Sequence, residues 1–167
     1  LAQEGVAAPG NDGTIFTFIQ SRGLNAGGNV LVQGQLADRT SGLWISRGGG
    51  LELLVRSGDE PLGFPGAKLL GNGNMALSPN GNIIFEGSPD LNWRGPGIWA
   101  TDNEGVLRYL VGPGKTITLP NGTSGQIQAA FLPGFANGTS FDAQGRFLAY
   151  LSISRFGYCI ALIDPSK

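Results

Sequence analysis

Apolar residues in this chain come in short alternating runs, cut at close intervals by glycine and proline. Runs rich in β-branched, aromatic and leucine side chains occupy residues 14–19, 30–33, 43–45, 51–55, 83–86, 106–111, 147–153 and 160–163, the composition expected of β-strands. The longest stretch free of Gly and Pro, residues 146–156, only just matches an average helix of about 11–12 residues, so helices have almost nowhere to sit. Within 51–55, strand alternation places Leu51, Leu53 and Val55 on one face and Glu52 and Leu54 on the other. The second face is thus half apolar, which predicts strands covered on both sides.

Three landmarks recur in order along the chain. A Pro-Gly step stands at Pro9-Gly10 and Pro65-Gly66. A turn glycine at Gly28, Gly81 and Gly145 leads each time into an apolar strand, and a third landmark reads Gly42-Leu43-Trp44, Gly97-Ile98-Trp99 and, degenerately, Gly157-Tyr158-Cys159, whose glycines are likewise expected at turns. The turn glycines lie 53 and 64 residues apart and the third-landmark glycines 55 and 60 apart, so the repeat unit is long enough for four strands. Short connections between consecutive strands require antiparallel pairing, which makes each unit a meander. The expected fold is therefore all-β: three four-stranded antiparallel blades of β-propeller type, in one domain over 1–167. The units run 5–57, 58–112 and 113–167, and the third lacks its last strand.

The sequence from Arg56-Ser57-Gly58-Asp59 through Pro65-Gly66, Ser78-Pro79-Asn80-Gly81-Asn82-Ile83 and Gly97-Ile98-Trp99 to Gly105-Val106-Leu107 resembles a repeat family of large secreted bacterial proteins. The resemblance spans nearly the whole chain. It implies propeller-like blades, export to the cell surface or beyond, and a family mostly without assigned function. It supplies no catalytic residues to carry over.

Three blades leave two faces open where propellers have four to eight. Leu1–Gly5 matches the tail of a fourth strand, and after residues 160–163 only Asp164-Pro165-Ser166-Lys167 follows. The expectation is self-association, with Leu1, Ile160 and Leu162 among the contacts and either a closed ring or an open filament as the product. The alternative is an excerpt of a longer propeller, which the full reading frame would reveal.

Composition narrows the chemistry. The chain has no histidine, one cysteine, 29 glycines and only 14% charged residues, against about 25% charged in an average domain. Imidazole bases, His-ligated zinc and Ser-His or Cys-His pairs are absent, so no enzyme and no cofactor is expected. A net charge of −1 gives no attraction to nucleic acid, and no apolar run is long enough to span a membrane. Cys159, between Tyr158 and Ile160, reads as core.

Trp44 and Trp99 occupy equivalent positions and are expected to pack between blades. Trp93 and Arg94 lie in an unrepeated insertion and are candidate contacts for a partner or glycan. Gly112-Pro113-Gly114-Lys115-Thr116 lacks the first glycine of a phosphate-binding loop, having Tyr109 there, and Ser124 has no histidine to activate it. Asp59, Asp102 and Glu104 are weak metal candidates without EF-hand spacing. Asn121 and Asn137 fit the glycosylation pattern but also simple Asn-Gly turns. The functional expectation is a non-catalytic extracellular or cell-surface protein with a scaffold or adhesion role. The alternative is a glycan- or protein-binding propeller module using loops at 88–96 and 113–135.

Overall fold

In the computed structural model, which describes residues 2–70, 73–89, 95–102, 105–134 and 141–165, all regular structure is β. Strands β1 (Phe16–Leu24), β2 (Val30–Leu36), β3 (Ser41–Arg47) and β4 (Gly50–Arg56) form the first antiparallel sheet in chain order. Strands β5 (Met75–Leu77), β6 (Ile83–Gly87), β7 (Gly97–Thr101) and β8 (Leu107–Val111) form the second. The third contains β9 (Thr116–Thr118), β10 (Ser124–Phe131), β11 (Phe147–Ile153) and β12 (Gly157–Ile163), again in chain order across the sheet. Among the described residues no strand follows β12. The third sheet nevertheless reaches four strands, because β9 pairs with β10 on the opposite edge.

The turns that lead into β2, β6 and β11 share one construction. Their first residues are Asn25, Ser78 and Asp142, and the backbone carbonyl of each accepts the N–H of Gly28, Gly81 or Gly145. The side-chain oxygen of each also accepts the N–H of the residue four positions on, at 3.0, 2.9 and 2.9 Å. Asn, Ser and Asp supply the acceptor, and glycine supplies the φ of +77°, +86° and +79° at the fourth position.

Apolar layers separate the sheets. Leu31, Leu43 and Val55 of the first sheet meet Ile83, Phe85 and Trp99 of the second. On its other face the second sheet presents Ile84, Ile98 and Ala100 to Phe147, Ala149 and Leu151 of the third. The outer face of the first sheet is covered by the chain's own leading segment: Ala8 and Phe16 pack on Val32, Leu36 and Trp44. Trp44 donates its indole N–H to Pro9 O at 3.0 Å. Trp99 thus packs between two sheets, but Trp44 packs beneath residues 8–16.

Three expectations from the sequence are corrected. Val55 does not share a face with Leu51 and Leu53, because the β3–β4 ladder slips between Leu43↔Val55 and Trp44↔Leu53. That bulge turns Val55 toward the second sheet while Leu51 and Leu53 stay with the outer layer. The same bulge recurs between Ile98↔Val111 and Trp99↔Tyr109.

Gly42 and Gly97 are not turn residues. They lie within β3 and β7, where a Cβ on Gly42 would come within 2.7 Å of the Trp44 ring and one on Gly97 would overlap the Tyr109 ring. Glycine is needed there for space.

Cys159 does not stand at the tryptophan position. Val32↔Trp44, Phe85↔Trp99 and Ala149↔Ala161 are the equivalent pairs, so Ala161 replaces tryptophan, and Gly157 is a hairpin residue with φ +79°. The sequence match slipped by two residues because Gly157, taken as the counterpart of Gly42 and Gly97, stands at the hairpin end of β12 and not two residues before the tryptophan position.

Candidate functional site

Pairing register assigns each residue of the third sheet its counterparts in the other two. Leu31↔Ile45, Ile84↔Ala100 and Leu148↔Leu162 are equivalent pairs, as are Gln33↔Leu43, Glu86↔Ile98 and Tyr150↔Ile160. In the first two sheets these positions face the sheet that follows. Leu31, Ile45, Leu43, Ile84, Ala100 and Ile98 are all at most 1% exposed. Their counterparts Leu148, Ile160 and Leu162 are 47%, 62% and 54% exposed, and Tyr158 beside them is 77% exposed. Cys159, on the opposite face of β12, is a half-buried free thiol packed toward the second sheet. The expectation that Tyr158 and Ile160 flank it as core is overturned: strand alternation sends them outward.

The open face has a definite composition. Phe131 pairs with Tyr150, Ser152 with Tyr158, and Ala129 with Ser152, so that aromatic and aliphatic side chains run across three strands. Gln128, Ala129, Phe131, Ser152 and Tyr158 line a shallow depression on it. None of these residues is charged. Beside the face, β12 is an edge strand that among the described residues pairs with β11 alone, whereas the corresponding β3 and β7 have β4 and β8 on their far side.

A second concavity, a cleft of about 750 Å³, opens between the second and third sheets and is lined by Asp102, Arg108, Tyr109, Lys115 and Asp164 among others. Its charged groups are engaged with the chain itself. Asp102 accepts the Arg108 guanidinium at 2.6 Å and the Val106 N–H at 2.9 Å. Lys115 donates to the carbonyls of Tyr109 and Leu110, and burial pushes the Tyr109 phenol well above its ordinary range.

The other candidates fall as follows. Ile160 and Leu162 are on the open face. Leu1, Trp93, Arg94, Glu104 and Asn137 lie outside the described residues. Asp59 accepts the Arg56 N–H at 2.8 Å, and Asp102 is occupied as above. Among the described residues no three His, Cys, Asp or Glu side chains gather as a metal-binding set. Lys115 sits in the link from β8 to β9, Ser124 opens β10 with its hydroxyl 2.9 Å from that of Thr118, and Asn121 caps the β9–β10 turn through the Thr123 N–H. Of the stretch 113–135, expected as an irregular binding loop, the described residues 113–134 are mostly the β9–β10 hairpin, and residues 90–94 of the other expected loop, 88–96, lie outside the described residues. The residues missed by sequence reasoning are Phe131, Leu148, Tyr150 and Tyr158. The signal was present in β11 and β12, whose sequences are apolar on both faces.

Fold and surface together define an all-β protein of three stacked meanders, sealed on one outer face and apolar and open on the other. The chain belongs to a family of unknown function, DUF7453, whose model matches residues 1–147. No curated protein and no solved structure matches it.

Proposed function

We propose that this protein is a non-catalytic structural protein of the cell surface or extracellular space, whose propeller-like blades stack between chains in a scaffold or adhesion role. The observation that carries this reading is the contrast at one repeat position: Leu43 and Ile98 are sealed beneath a following sheet, and Ile160 stands in solvent. Burial of apolar surface is the main drive for association, and a contiguous uncharged patch is what a sheet-on-sheet contact needs. Resemblance of the repeat to those of large secreted bacterial proteins supports the location. The low proportion of charge and the absence of histidine support a role without acid–base chemistry.

Two measurements test the reading. Light scattering on the purified chain is expected to give a mass above the 17.4 kDa monomer. Labelling of intact producing cells with a membrane-impermeant reagent is expected to reach the protein. A stable monomer at micromolar concentration, or protection from the label until lysis, overturns the corresponding half.

A further inference from the structure

The open face of the third sheet is an apolar strand face that no other sheet covers among the described residues. We infer that it packs against the same face of a second copy, third sheet on third sheet about a two-fold axis, and that assembly closes at two chains. This rests on the proposal that chains stack, and deepens it by naming the contact.

A head-to-tail array needs the open face of one chain to meet the outer face of the first sheet of the next. That acceptor face is already occupied. Ala8, Phe16, Val32 and Trp44 are buried there, the Phe16 and Trp44 rings meet edge to face at 4.8 Å, and a Cβ on Gly10 would touch Leu53 at 3.0 Å. Opening it would expose a tryptophan and break its hydrogen bond to Pro9. The third-sheet face, in contrast, has no charge to oppose itself across Leu148, Tyr150, Tyr158, Ile160 and Leu162; Arg146, paired with Asp142, and Asp164 come only at its margin. Like the contacts between sheets inside the chain, it buries one apolar strand face on another, but it joins two following faces where those join a following face to a preceding one.

The area suits a pair. At roughly 200 Å² for a large side chain, the exposed parts of Leu148, Tyr150, Tyr158, Ile160 and Leu162 amount to about 550 Å². With Gln128, Phe131 and Ser152 at the rim, two such faces bury on the order of 1,200 Å², where specific interfaces begin. A contact built from one patch used twice consumes both open faces and propagates no further.

Sedimentation velocity of the 167-residue chain from submicromolar to about 100 μM checks this. The expected result is a monomer–dimer equilibrium, weakened at least tenfold by Ile160→Lys and by Leu148→Lys, with unchanged circular dichroism and melting temperature. Leu24→Lys, at an exposed leucine of the first sheet, is expected to leave it unaltered. Ile160→Cys in a Cys159→Ser background is expected to cross-link into a disulfide-linked pair on mild oxidation, whereas Leu24→Cys in the same background is expected not to. Species that keep growing with concentration overturn the two-fold contact while sparing the stacking proposal. A dimer indifferent to Ile160→Lys places the contact elsewhere and also overturns the inference. A monomer throughout overturns both.

Discussion

The carboxylate of Glu86 on β6 accepts the backbone N–H of Leu132, just beyond β10, at 2.6 Å across 46 residues of sequence. It also accepts the Asn74 side-chain amide at 3.0 Å. A nearly buried polar group thereby ties the second sheet to the third inside an otherwise apolar layer.

Glu86→Ala is expected to destabilise the protein by about 2–4 kcal/mol, because the buried Leu132 N–H loses its acceptor away from water and the half-buried Asn74 amide loses its partner. Glu86→Gln keeps an acceptor oxygen and should lose less. Urea unfolding curves of the three proteins compare them directly, and equal midpoints for Ala and wild type would remove the carboxylate from the account.

Glycines of two kinds should respond differently to alanine. Gly28, with φ +77° and open space around it, should lose about 1 kcal/mol from backbone strain alone. Gly97 lies under the ring of Tyr109, which is pinned by its hydroxyl to Pro113 O and packed on Trp99 and Phe64. Gly97→Ala should lose about 2–3 kcal/mol, as overpacking does. Adding Tyr109→Leu should return part of that loss, which a double-mutant cycle in denaturant measures.

The turn before β11 carries an acid-sensitive contact. Burial pushes the Asp142 carboxyl up, but the Arg146 and Gln144 N–H groups and the Arg146 guanidinium outweigh it and hold it below the ordinary value of 3.8. Thr40 and Arg56 do the same for Asp38. A carboxylate with a depressed folded-state value contributes stability above the unfolded-state value. It loses that contribution as the pH falls through the lowered one. Melting temperature should therefore fall from about pH 4 downward, more gently in Asp142→Asn, with the two curves converging at the acid end. Parallel curves throughout would show that Asp142 plays no part.

Asn25 does two jobs that substitution can separate. Its oxygen caps its own turn, and its amide donates to the carbonyls of Ser78 and Pro79 in the next one, both at 3.3 Å. Asn25→Asp keeps the cap and removes the donor. It is expected to lose about 0.5–1 kcal/mol, and Asn25→Ala, which loses both, about 1–2 kcal/mol. Equal losses, read from denaturant midpoints, would leave the reach between turns without energetic weight.

Local chemistry was the legible part of this fold. Asn25, Ser78 and Asp142 with glycine three residues on announce their turns, because both the acceptor and the positive φ are written in residue type. The bulges at Leu54 and Leu110 were not legible: a ladder slip depends on how the tryptophan strand seats against its neighbour, and alternation alone carried Val55 to the wrong face. The strand β9 was obscured by the glycine and proline around it. At the open face the sequence shows apolar residues at 158, 160 and 162 but not whether anything covers them. Strand pairing, which motif spacing does not reveal, makes Ile160 the counterpart of the buried Leu43 and Ile98.

The segment over Trp44 gives the stack a direction. A sheet can be added beyond the third without disturbing anything already packed, whereas one added before the first must displace residues 8–16 and strip a tryptophan of its partner. Lengthening by duplication of a unit is thus a one-ended process, like a polymer whose initiating end is blocked. Two chains meeting at their growing ends would terminate each other.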